Sequence, residues 1–267
     1  MTLSANTLAV ALVALTLGLS ACGDSSGTGR VTFQLSSRAS MPMSASVDGP
    51  RFSSGAAGQA AISLGGDQIV IDQVELVLRK IRFEGTGAGA CEDGGTGVSG
   101  EAEECGEFRA GPELFDLPLG DGVLQTFTAT VPVGSYRQVQ FQIHRPTNEN
   151  GDAAFLAGHP EFEGASIRAT GTYQKAGDPA VVPFTYVSDL TEALHVALAQ
   201  PIEVAEGQTL ALTLSIDLSG WFANVGGTGL VDPAQALDGQ PLESVVEQNI
   251  RSSFHPFEDD DGDGTAD

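Results

Sequence analysis

The sequence predicts an all-β protein: a single antiparallel β-sandwich with long loops, one short C-terminal helix and a cleaved N-terminal signal helix. Three observations predict this class. Residues 123–145 contain two runs of alternating apolar and polar residues on either side of a turn-forming Pro-Val-Gly-Ser segment. Residues 208–218 alternate in the same way and form the most regular strand candidate. The 34 Gly and 13 Pro favour short strands joined by many turns over long helices.

The two runs in residues 123–145 each give a strand one apolar face and one polar face. The apolar faces consist of Phe127, Ala129 and Val131, followed by Val139, Phe141 and Ile143. The polar faces consist of Thr126, Thr128 and Thr130, followed by Gln138, Gln140 and Gln142. We expect the runs to form an antiparallel pair, and its apolar face requires a second layer to cover it.

Residues 67–83 are the longest strand candidate, and their alternation changes phase. The change divides the apolar residues into two sets, Val74, Leu76 and Leu78 followed by Ile81 and Phe83. A β-bulge near Arg79 and Lys80 would return both sets to one face. The alternatives are a segment buried on both sides, or two separate elements.

Shorter patterns complete the set of elements. They predict strands at residues 31–35, 114–117 and 194–198, and a hairpin formed by residues 167–174 and 181–187. Near-helical spacing predicts the C-terminal helix within residues 241–254, through Leu242, Val245, Val246, Asn249 and Ile250. Residues 37–59 and 146–164 are rich in turn formers and are expected to be loops.

The composition limits the function classes. The chain of 267 residues has 12 Lys and Arg against 35 Asp and Glu, a formal net charge of −23. Such a surface repels phosphate backbones, and the chain has no basic stripe, so the composition argues against nucleic acid as a partner. The length fits one main β-sandwich domain at residues 30–254, with a tail at each end.

The amino terminus carries the most specific pattern in the chain. Residues 8–19 form an apolar run with the length of a signal-peptide core, too short to be a secure membrane span. The run ends in Leu19-Ser20-Ala21-Cys22, which resembles the lipobox of bacterial lipoproteins. The resemblance implies cleavage of residues 1–21 as a signal peptide, acylation of Cys22, and a membrane partner reached through this lipid anchor. Residues 22–29 would then be a flexible tether. The alternatives are an uncleaved apolar anchor or an ordinary secretion signal.

Cys91 and Cys105 are the other two cysteines. In an exported chain, two cysteines that flank a Gly-rich acidic loop predict a disulfide, because such bonds persist outside the cytoplasm. Closing a loop of roughly 15 residues stabilises a fold by about 3 kcal/mol in the chain-entropy model. The acidic residues of this loop offer either a cation site or a solvated surface.

The carboxyl-terminal tail, residues 255–267, contains the opening of a calcium loop. Asp259, Asp261 and Asp263 followed by Gly264 match D-x-D-x-D-G, in which alternate carboxylates converge on the ion. The match resembles EF-hand and thrombospondin type 3 loops, and it implies weak calcium binding by Asp259, Asp261, Asp263, Thr265 and Asp267. The acid at position twelve of such loops has no counterpart here. The alternative is an acidic tail that only attracts counterions, with no cofactor bound.

The sequence contains no catalytic motif among those with a known mechanism. HExxH is missing from it, and the GxSxG and GxGxxG spacings occur only at residues 23–27, in the expected tether, and at residues 95–100, in the Gly-rich acidic loop, where no strand-to-helix turn is predicted. The histidines, which we expect to be exposed or satisfied, share no ligand spacing such as HxxxH; they are His144, His159, His195 and His255. In a chain with 35 acids, counting paired carboxylates gives a glycosidase no support.

The order of the segments resembles uncharacterised bacterial lipoproteins that carry a transthyretin- or immunoglobulin-like β-sandwich. The segments that follow the lipobox are DQVELVLRKIRFE, FDLPLGDG, VPVGSYRQVQFQI and LTLSIDLSGWF, and the resemblance covers residues 29–254. Gly134-Ser135-Tyr136 is similar to the Gly-x-Tyr corner of such sandwiches, in which a tyrosine hydroxyl ties a turn to nearby backbone. The resemblance implies a fold and a location, and no reaction.

We therefore expect a cell-envelope lipoprotein, on the periplasmic side or the cell surface, that acts as a binding or structural module and not as an enzyme. Its partner would be an envelope protein or polysaccharide. The first alternative is a hydrolase that acts on envelope polysaccharide with carboxylates from the loops. The second alternative is a carbohydrate- or metal-binding accessory protein.

Overall fold

The computed structural model describes residues 27–38, 51–54, 58–86, 107–109, 111–119, 125–149 and 151–258. These ranges contain thirteen strands: β1 (Thr28–Arg38), β2 (Arg51–Ser54), β3 (Ala60–Leu64), β4 (Asp67–Thr86), β5 (Glu107–Arg109), β6 (Glu113–Asp116), β7 (Gln125–Pro132), β8 (Gly134–Ile143), β9 (Ile167–Gln174), β10 (Val181–Ser188), β11 (Glu192–Val204), β12 (Thr209–Asp217) and β13 (Phe254–Glu258). They also contain two α-helices, α1 (Ala153–Gly158) and α2 (Glu243–Arg251).

The strands form two sheets, so the predicted all-β sandwich class is confirmed. The smaller sheet has four strands in the order β13-β12-β1-β7. The larger sheet has nine strands and is built on β4, which pairs along both of its edges. One edge of β4 pairs with β9 and then β8, and the other edge pairs with β3, β6 and β5 in turn. Beyond these, β8 pairs with β11 and β9 pairs with β10.

The predicted β-bulge near Arg79 and Lys80 is confirmed. The register of β4 against β8 shifts between Arg79 and Arg82, and Lys80 has a φ of 54°. No other non-Gly residue in the described ranges has a positive φ. The extra residue returns both apolar sets of β4 to the core, where each residue is at most 1% exposed: Val74, Leu76, Leu78, Ile81 and Phe83.

The core lies between the two sheets and follows the predicted parities. The four-stranded sheet contributes fully buried residues from its two central strands, Val31, Phe33 and Leu35 of β1 and Leu212, Leu214 and Ile216 of β12. They belong to one cluster with the apolar rows of β4 and β8. Full burial of one such side chain is worth about 1.5–3 kcal/mol. The prediction that residues 208–218 form a central strand is therefore confirmed.

The two runs of residues 123–145 are strands, but the expectation that they pair with each other is wrong. β7 pairs with β1 in the smaller sheet, and β8 pairs with β4 and β11 in the larger sheet. The turn between them therefore crosses from one sheet to the other. Tyr136 donates its hydroxyl to the carbonyl oxygen of Pro132 at 2.7 Å, which confirms the tyrosine corner expected from Gly134-Ser135-Tyr136.

The sandwich departs from a purely antiparallel arrangement at one pair. β1 runs parallel to β12, from Arg30 opposite Thr209 to Arg38 opposite Asp217. The larger sheet lies between these two strands in the sequence, so no short turn fixes their direction. The other strand pairs in the described ranges are antiparallel.

Two expected loops contain regular elements. β2 lies within residues 37–59 and pairs with β3, and α1 lies within residues 146–164, so the C-terminal helix is not the only α-helix. The predicted C-terminal helix itself is α2, and it buries Val246 and Ile250. The hairpin formed by residues 167–174 and 181–187 is present as β9 and β10.

Candidate functional site

The outer face of the larger sheet carries three rows of side chains across β4, β8 and β11. The pairing registers define the rows Arg79–Gln142–Ala193, Arg82–Gln140–His195 and Glu84–Gln138–Ala197. We call the seven polar members the polar grid: Arg79, Arg82, Glu84, Gln138, Gln140, Gln142 and His195. Along β8 the grid extends over four residue steps, about 13 Å, and across the three strands over about 10 Å.

The β-bulge places the β4 members of the grid. Arg79 precedes the bulge and Arg82 follows it, so two residues separate them where an unbroken strand would have one. The extra residue keeps both guanidinium groups on the outer face while Leu78 and Ile81 stay in the core. The β-bulge that keeps the apolar residues of β4 in the core therefore also places Arg79 opposite Gln142 and Arg82 opposite Gln140.

A hydrogen-bond circuit fixes the orientation of the central row. Arg82 Nε donates to Gln140 Oε1, so the amide nitrogen of Gln140 faces away from β4. That nitrogen lies 2.9 Å from Nε2 of His195, and the amide nitrogen of Gln138 lies 3.3 Å from Nδ1 of the same ring. An amide NH₂ has no lone pair to offer, so a neutral imidazole accepts from one of the two amides. Nδ1 of His195 also faces Glu84 Oε2 at 4.0 Å.

Glu84 closes the circuit. Its carboxylate accepts hydrogen bonds from an Arg82 terminal nitrogen at 3.0 Å and from the amide of Gln138. Glu84 is 8% exposed, whereas the side chain of His195 is 42% exposed. The Glu84 end of the grid is therefore nearly buried, whereas the His195 end is exposed to solvent.

A groove of about 360 Å³ borders the grid at the bulge. Its lining is Lys80, Arg82, Gln140, Phe141, Gln142 and Ala193. Ala193 is the β11 member of the row that contains Arg79 and Gln142, and its small side chain leaves the groove open on that side.

A second groove of about 380 Å³ lies between β6 and α1, lined in part by Asp116, Phe155 and His159. Glu75 lies directly opposite Asp116 in the sheet and opposite Arg168 on its other edge. Burial raises the pKa of Glu75, and the negative charge of Asp116 raises it further. A carboxyl group with a raised pKa beside a second carboxyl group provides the elements of acid–base hydrolysis.

His144 and Asp152 form a buried pair beside α1. Nε2 of His144 donates to Asp152 Oδ2 at 2.8 Å, and the backbone amide of Thr147 donates to the same oxygen at 3.1 Å. Both side chains are at most 4% exposed. Burial lowers the pKa of His144, and the hydrogen bond to Asp152 partly opposes this. The pair ties the segment before α1 to the end of β8, but Nδ1 of His144 and Oδ1 of Asp152 are buried without a hydrogen-bond partner among the described residues. The expectation of an exposed or satisfied histidine is therefore met only at Nε2 of His144.

Three carboxylates converge beside α2, where oxygen atoms of Asp189, Glu243 and Glu247 lie within 4.8 Å of one another. Each already has a partner. Arg145 contacts Asp189 at 2.6 Å, Arg251 contacts Glu247 at 3.3 Å, and the backbone amide of Gly239 donates to Glu243 at 2.7 Å. Two guanidinium groups offset two of the three negative charges, and the third carboxylate accepts from a backbone amide, so this cluster carries no metal assignment.

The sites predicted from sequence motifs lie outside the described residues. These are the lipidation site Cys22, the disulfide pair Cys91 and Cys105, and the calcium ligands Asp259, Asp261, Asp263, Thr265 and Asp267. Sequence reasoning identified the glutamine row of the polar grid as a polar strand face, but it did not assign that row to a site. His195 joins the row only through the register of β11, more than 50 residues away in the chain.

Comparison with protein-family models, with curated proteins and with solved structures finds no match. Within the part of the chain that the structure describes, no helix has the length and apolar character needed to cross a membrane. Proposals for function therefore depend on the geometry of the chain itself.

Proposed function

We propose that this chain is a lipid-anchored lipoprotein of the bacterial cell envelope that acts as a binding module, with an envelope saccharide bound at the polar grid. The observation that supports this proposal is the grid itself, a partly exposed face whose polar side chains are held in place by their own hydrogen bonds. Side chains that are ordered before binding lose less entropy when a ligand arrives. A preorganised polar face on a rigid sheet is typical of a binding surface.

The chemistry of the grid matches sugar hydroxyl groups. A hydroxyl both donates and accepts, and it therefore pairs well with amides, imidazole, carboxylate and guanidinium. Gln138, Gln140, Gln142 and His195 provide such groups on neighbouring strands at spacings of about 5 Å and 7 Å. A short oligosaccharide laid along β8 would meet several of these groups at once.

The lipobox supports the envelope location. Acylation of Cys22 would hold the sandwich at a membrane through residues 22–29, and one lipid chain alone gives only marginal membrane binding, so lipoprotein-type multiple acylation is part of the proposal. The Cys91–Cys105 disulfide and the calcium loop at Asp259 remain predictions in this scheme. Cys22→Ser should abolish fatty-acid labelling and release the protein from the membrane fraction, and unchanged membrane association would contradict the anchor.

The binding function is tested by applying the detergent-solubilised full chain to an array of neutral and acidic oligosaccharides from bacterial envelopes. We expect wild type to retain at least one class, and Gln140→Ala and His195→Ala to lose it. Thr172→Ala is the matched control, because Thr172 lies on the same outer face in β9, outside the grid. No binding to any saccharide, or equal binding by all four proteins, would refute the proposal.

A second candidate function rests on Glu75 and Asp116, whose carboxyl groups are cross-strand neighbours beside the second groove. The raised pKa of Glu75 suits a general acid, and Asp116 would then be the base or nucleophile in hydrolysis of an envelope polysaccharide. Release of new reducing ends by the full chain, abolished in Glu75→Gln, would support this activity. A polysaccharide left intact by wild type at every pH tested would rule it out.

A further inference from the structure

We propose that the groove beside the β-bulge binds the carboxylate of an acidic sugar, so that the saccharide held at the polar grid is a uronic-acid-containing one. This inference rests on the proposed binding function and specifies its ligand class. It is based on the charge of the groove, on the direction of its hydrogen-bonding groups, and on its shape.

The groove is a cationic spot on a strongly acidic protein. The chain has 12 Lys and Arg in 267 residues, and three of them, Arg79, Lys80 and Arg82, fall within four consecutive positions at the bulge. Among the described residues, the charged ones that line the groove are Lys80 and Arg82, and none of its described lining residues is a carboxylate. Glu84 neutralises part of the Arg82 charge, so Lys80 supplies the net positive charge of the groove.

Lys80 reaches the groove at the cost of an unfavourable backbone conformation. Its φ of 54° is in the left-handed region, where a residue with a Cβ is less stable by about 1–2 kcal/mol. Lys80 is exposed, and no described carboxylate forms an ion pair with its ammonium group. A strained residue that presents an unpaired charge at a groove points to a ligand of opposite charge.

The hydrogen-bonding groups of the groove are mostly donors. Arg79 Nε donates to Gln142 Oε1 at 2.8 Å, and Arg82 Nε donates to Gln140 Oε1, so both amide oxygens are occupied by arginines. The amide nitrogens therefore point away from β4, and the nitrogen of Gln142 has no partner among the described residues. The amide nitrogen of Gln142 and the ammonium group of Lys80 together match a carboxylate and disfavour a cation.

The shape of the groove suits one sugar ring that continues onto the grid. A volume of about 360 Å³ is at the lower end of the range for small-molecule pockets. Gln140 belongs both to the groove and to the row that contains His195, so a ring whose carboxylate meets Lys80 places its hydroxyl groups toward the grid. The bulge groove and the polar grid thus form one continuous surface.

The inference is tested by calorimetric titration of the full-length protein with a galacturonic acid trimer, its methyl ester and inorganic phosphate. We expect the trimer to bind, its methyl ester to bind at least about 5-fold more weakly, and phosphate alone to bind more weakly than the trimer. Lys80→Gln should weaken trimer binding about 5- to 10-fold. Lys175→Gln is the matched control, because it removes the same charge at the chain's only other lysine, in the turn between β9 and β10.

A second variant tests the shape of the groove without any change of charge. Ala193→Leu adds bulk at an exposed position of β11 and should abolish trimer binding with the thermal unfolding of the protein unchanged. Equal binding of trimer and ester, or a Lys80→Gln variant that binds like wild type, would overturn the carboxylate subsite while the saccharide function stands. Phosphate that binds as tightly as the trimer would overturn the sugar specificity, whereas loss of binding to every saccharide would remove both proposals.

Discussion

Tyr136 donates its hydroxyl to the carbonyl oxygen of Pro132 at 2.7 Å, across the corner where the chain passes from the smaller sheet to the larger one. The ring of Tyr136 also packs against Phe83, with 5.6 Å between the ring centroids. β7 and β8 belong to different sheets, so this corner links the two layers of the sandwich directly. Burial raises the pKa of Tyr136 above its ordinary value of 10.0, which already lies well above physiological pH, so the hydroxyl is protonated and can donate.

Tyr136→Phe removes this hydrogen bond and keeps the ring. We expect the free energy of unfolding to fall by about 0.5–1.5 kcal/mol, the net value of a hydrogen bond of this kind, as measured by chemical denaturation. Tyr173→Phe is the matched control, because the hydroxyl of Tyr173 bonds to none of the described residues. Equal losses in the two variants would show that the corner hydrogen bond contributes nothing specific.

Asn249 fastens α2 to the segment that follows β12. Its amide nitrogen donates to the carbonyl oxygens of Trp221 at 3.0 Å and Ala223 at 2.9 Å. Asn249→Ala leaves both carbonyl groups without this donor, and we expect a loss of about 2 kcal/mol in the free energy of unfolding. Gln248→Ala, the preceding position of the same helix, should change stability by less than about 0.5 kcal/mol. A similar loss in both variants would contradict the role of Asn249.

Lys80 allows a direct test of the strained bulge. At a positive φ, alanine is penalised for its Cβ while glycine is not, so we expect Lys80→Gly to be more stable than Lys80→Ala by about 1 kcal/mol. At Thr172, in the regular strand β9, the order should be reversed because glycine weakens a strand interior. Thermal denaturation of the four variants checks both signs. Alanine more stable than glycine at position 80 would contradict the left-handed conformation.

The strand faces and the bulge could be predicted from the sequence because they depend on parity along one segment. Val74 and Ile81 have opposite parities, and a single extra residue between them is the local solution that buries both. Pairing partners could not be predicted in the same way. Alternation shows which face of a strand is buried, but it does not show which other strand pairs with it. For this reason the sequence leads to the incorrect expectation that β7 and β8 pair with each other.

The polar grid shows the same limit at the level of a site. Gln138, Gln140 and Gln142 are visible in the sequence as one polar row, yet a polar row is equally typical of any solvated strand face. Only the registers of β8 with β4 and β11 place Arg82 and His195 on either side of Gln140. α1 was missed for a different reason, since six residues are too few to show helical periodicity.

His144 is expected to make stability depend on pH. Burial lowers its pKa in the folded state, so between that pKa and about 6.5 the unfolded chain binds more protons than the folded one. The free energy of unfolding therefore falls as the pH is lowered through this range, with a slope of at most about 1.4 kcal/mol per pH unit for one group. His144→Gln keeps a donor for Asp152 and should flatten the slope between about pH 7 and pH 5.

The control for this titration is His255→Gln, which removes an imidazole at an exposed position of β13. Chemical denaturation at a series of pH values gives the slope for each protein. A slope in His144→Gln as steep as that of wild type would show that the buried imidazole is not its source.

Glu75 is expected to destabilise the fold when it is ionised. Its pKa is raised first by burial and then by the nearby charge of Asp116, and neither a hydrogen bond nor a salt bridge joins it to another described residue. Well below the ordinary pKa of 4.5 the carboxyl group is protonated in both the folded and unfolded states, so it has no effect on the pH dependence there. As the pH rises through the interval between the unfolded and the raised folded pKa, the folded state binds more protons than the unfolded state, and stability is lost.

Glu75→Gln removes this cost and keeps the size and polarity of the side chain. We expect the variant to have a higher melting temperature than wild type at pH 7, with the difference shrinking as the pH approaches about 4. Glu203→Gln, at an exposed position of β11, controls for the removal of one negative charge from a chain that carries a net charge of −23. If Glu75→Gln has a lower melting temperature than wild type at pH 7, the ionised carboxylate stabilises the sheet. Glu75 would then lack the raised pKa that the hydrolase candidate requires of its general acid.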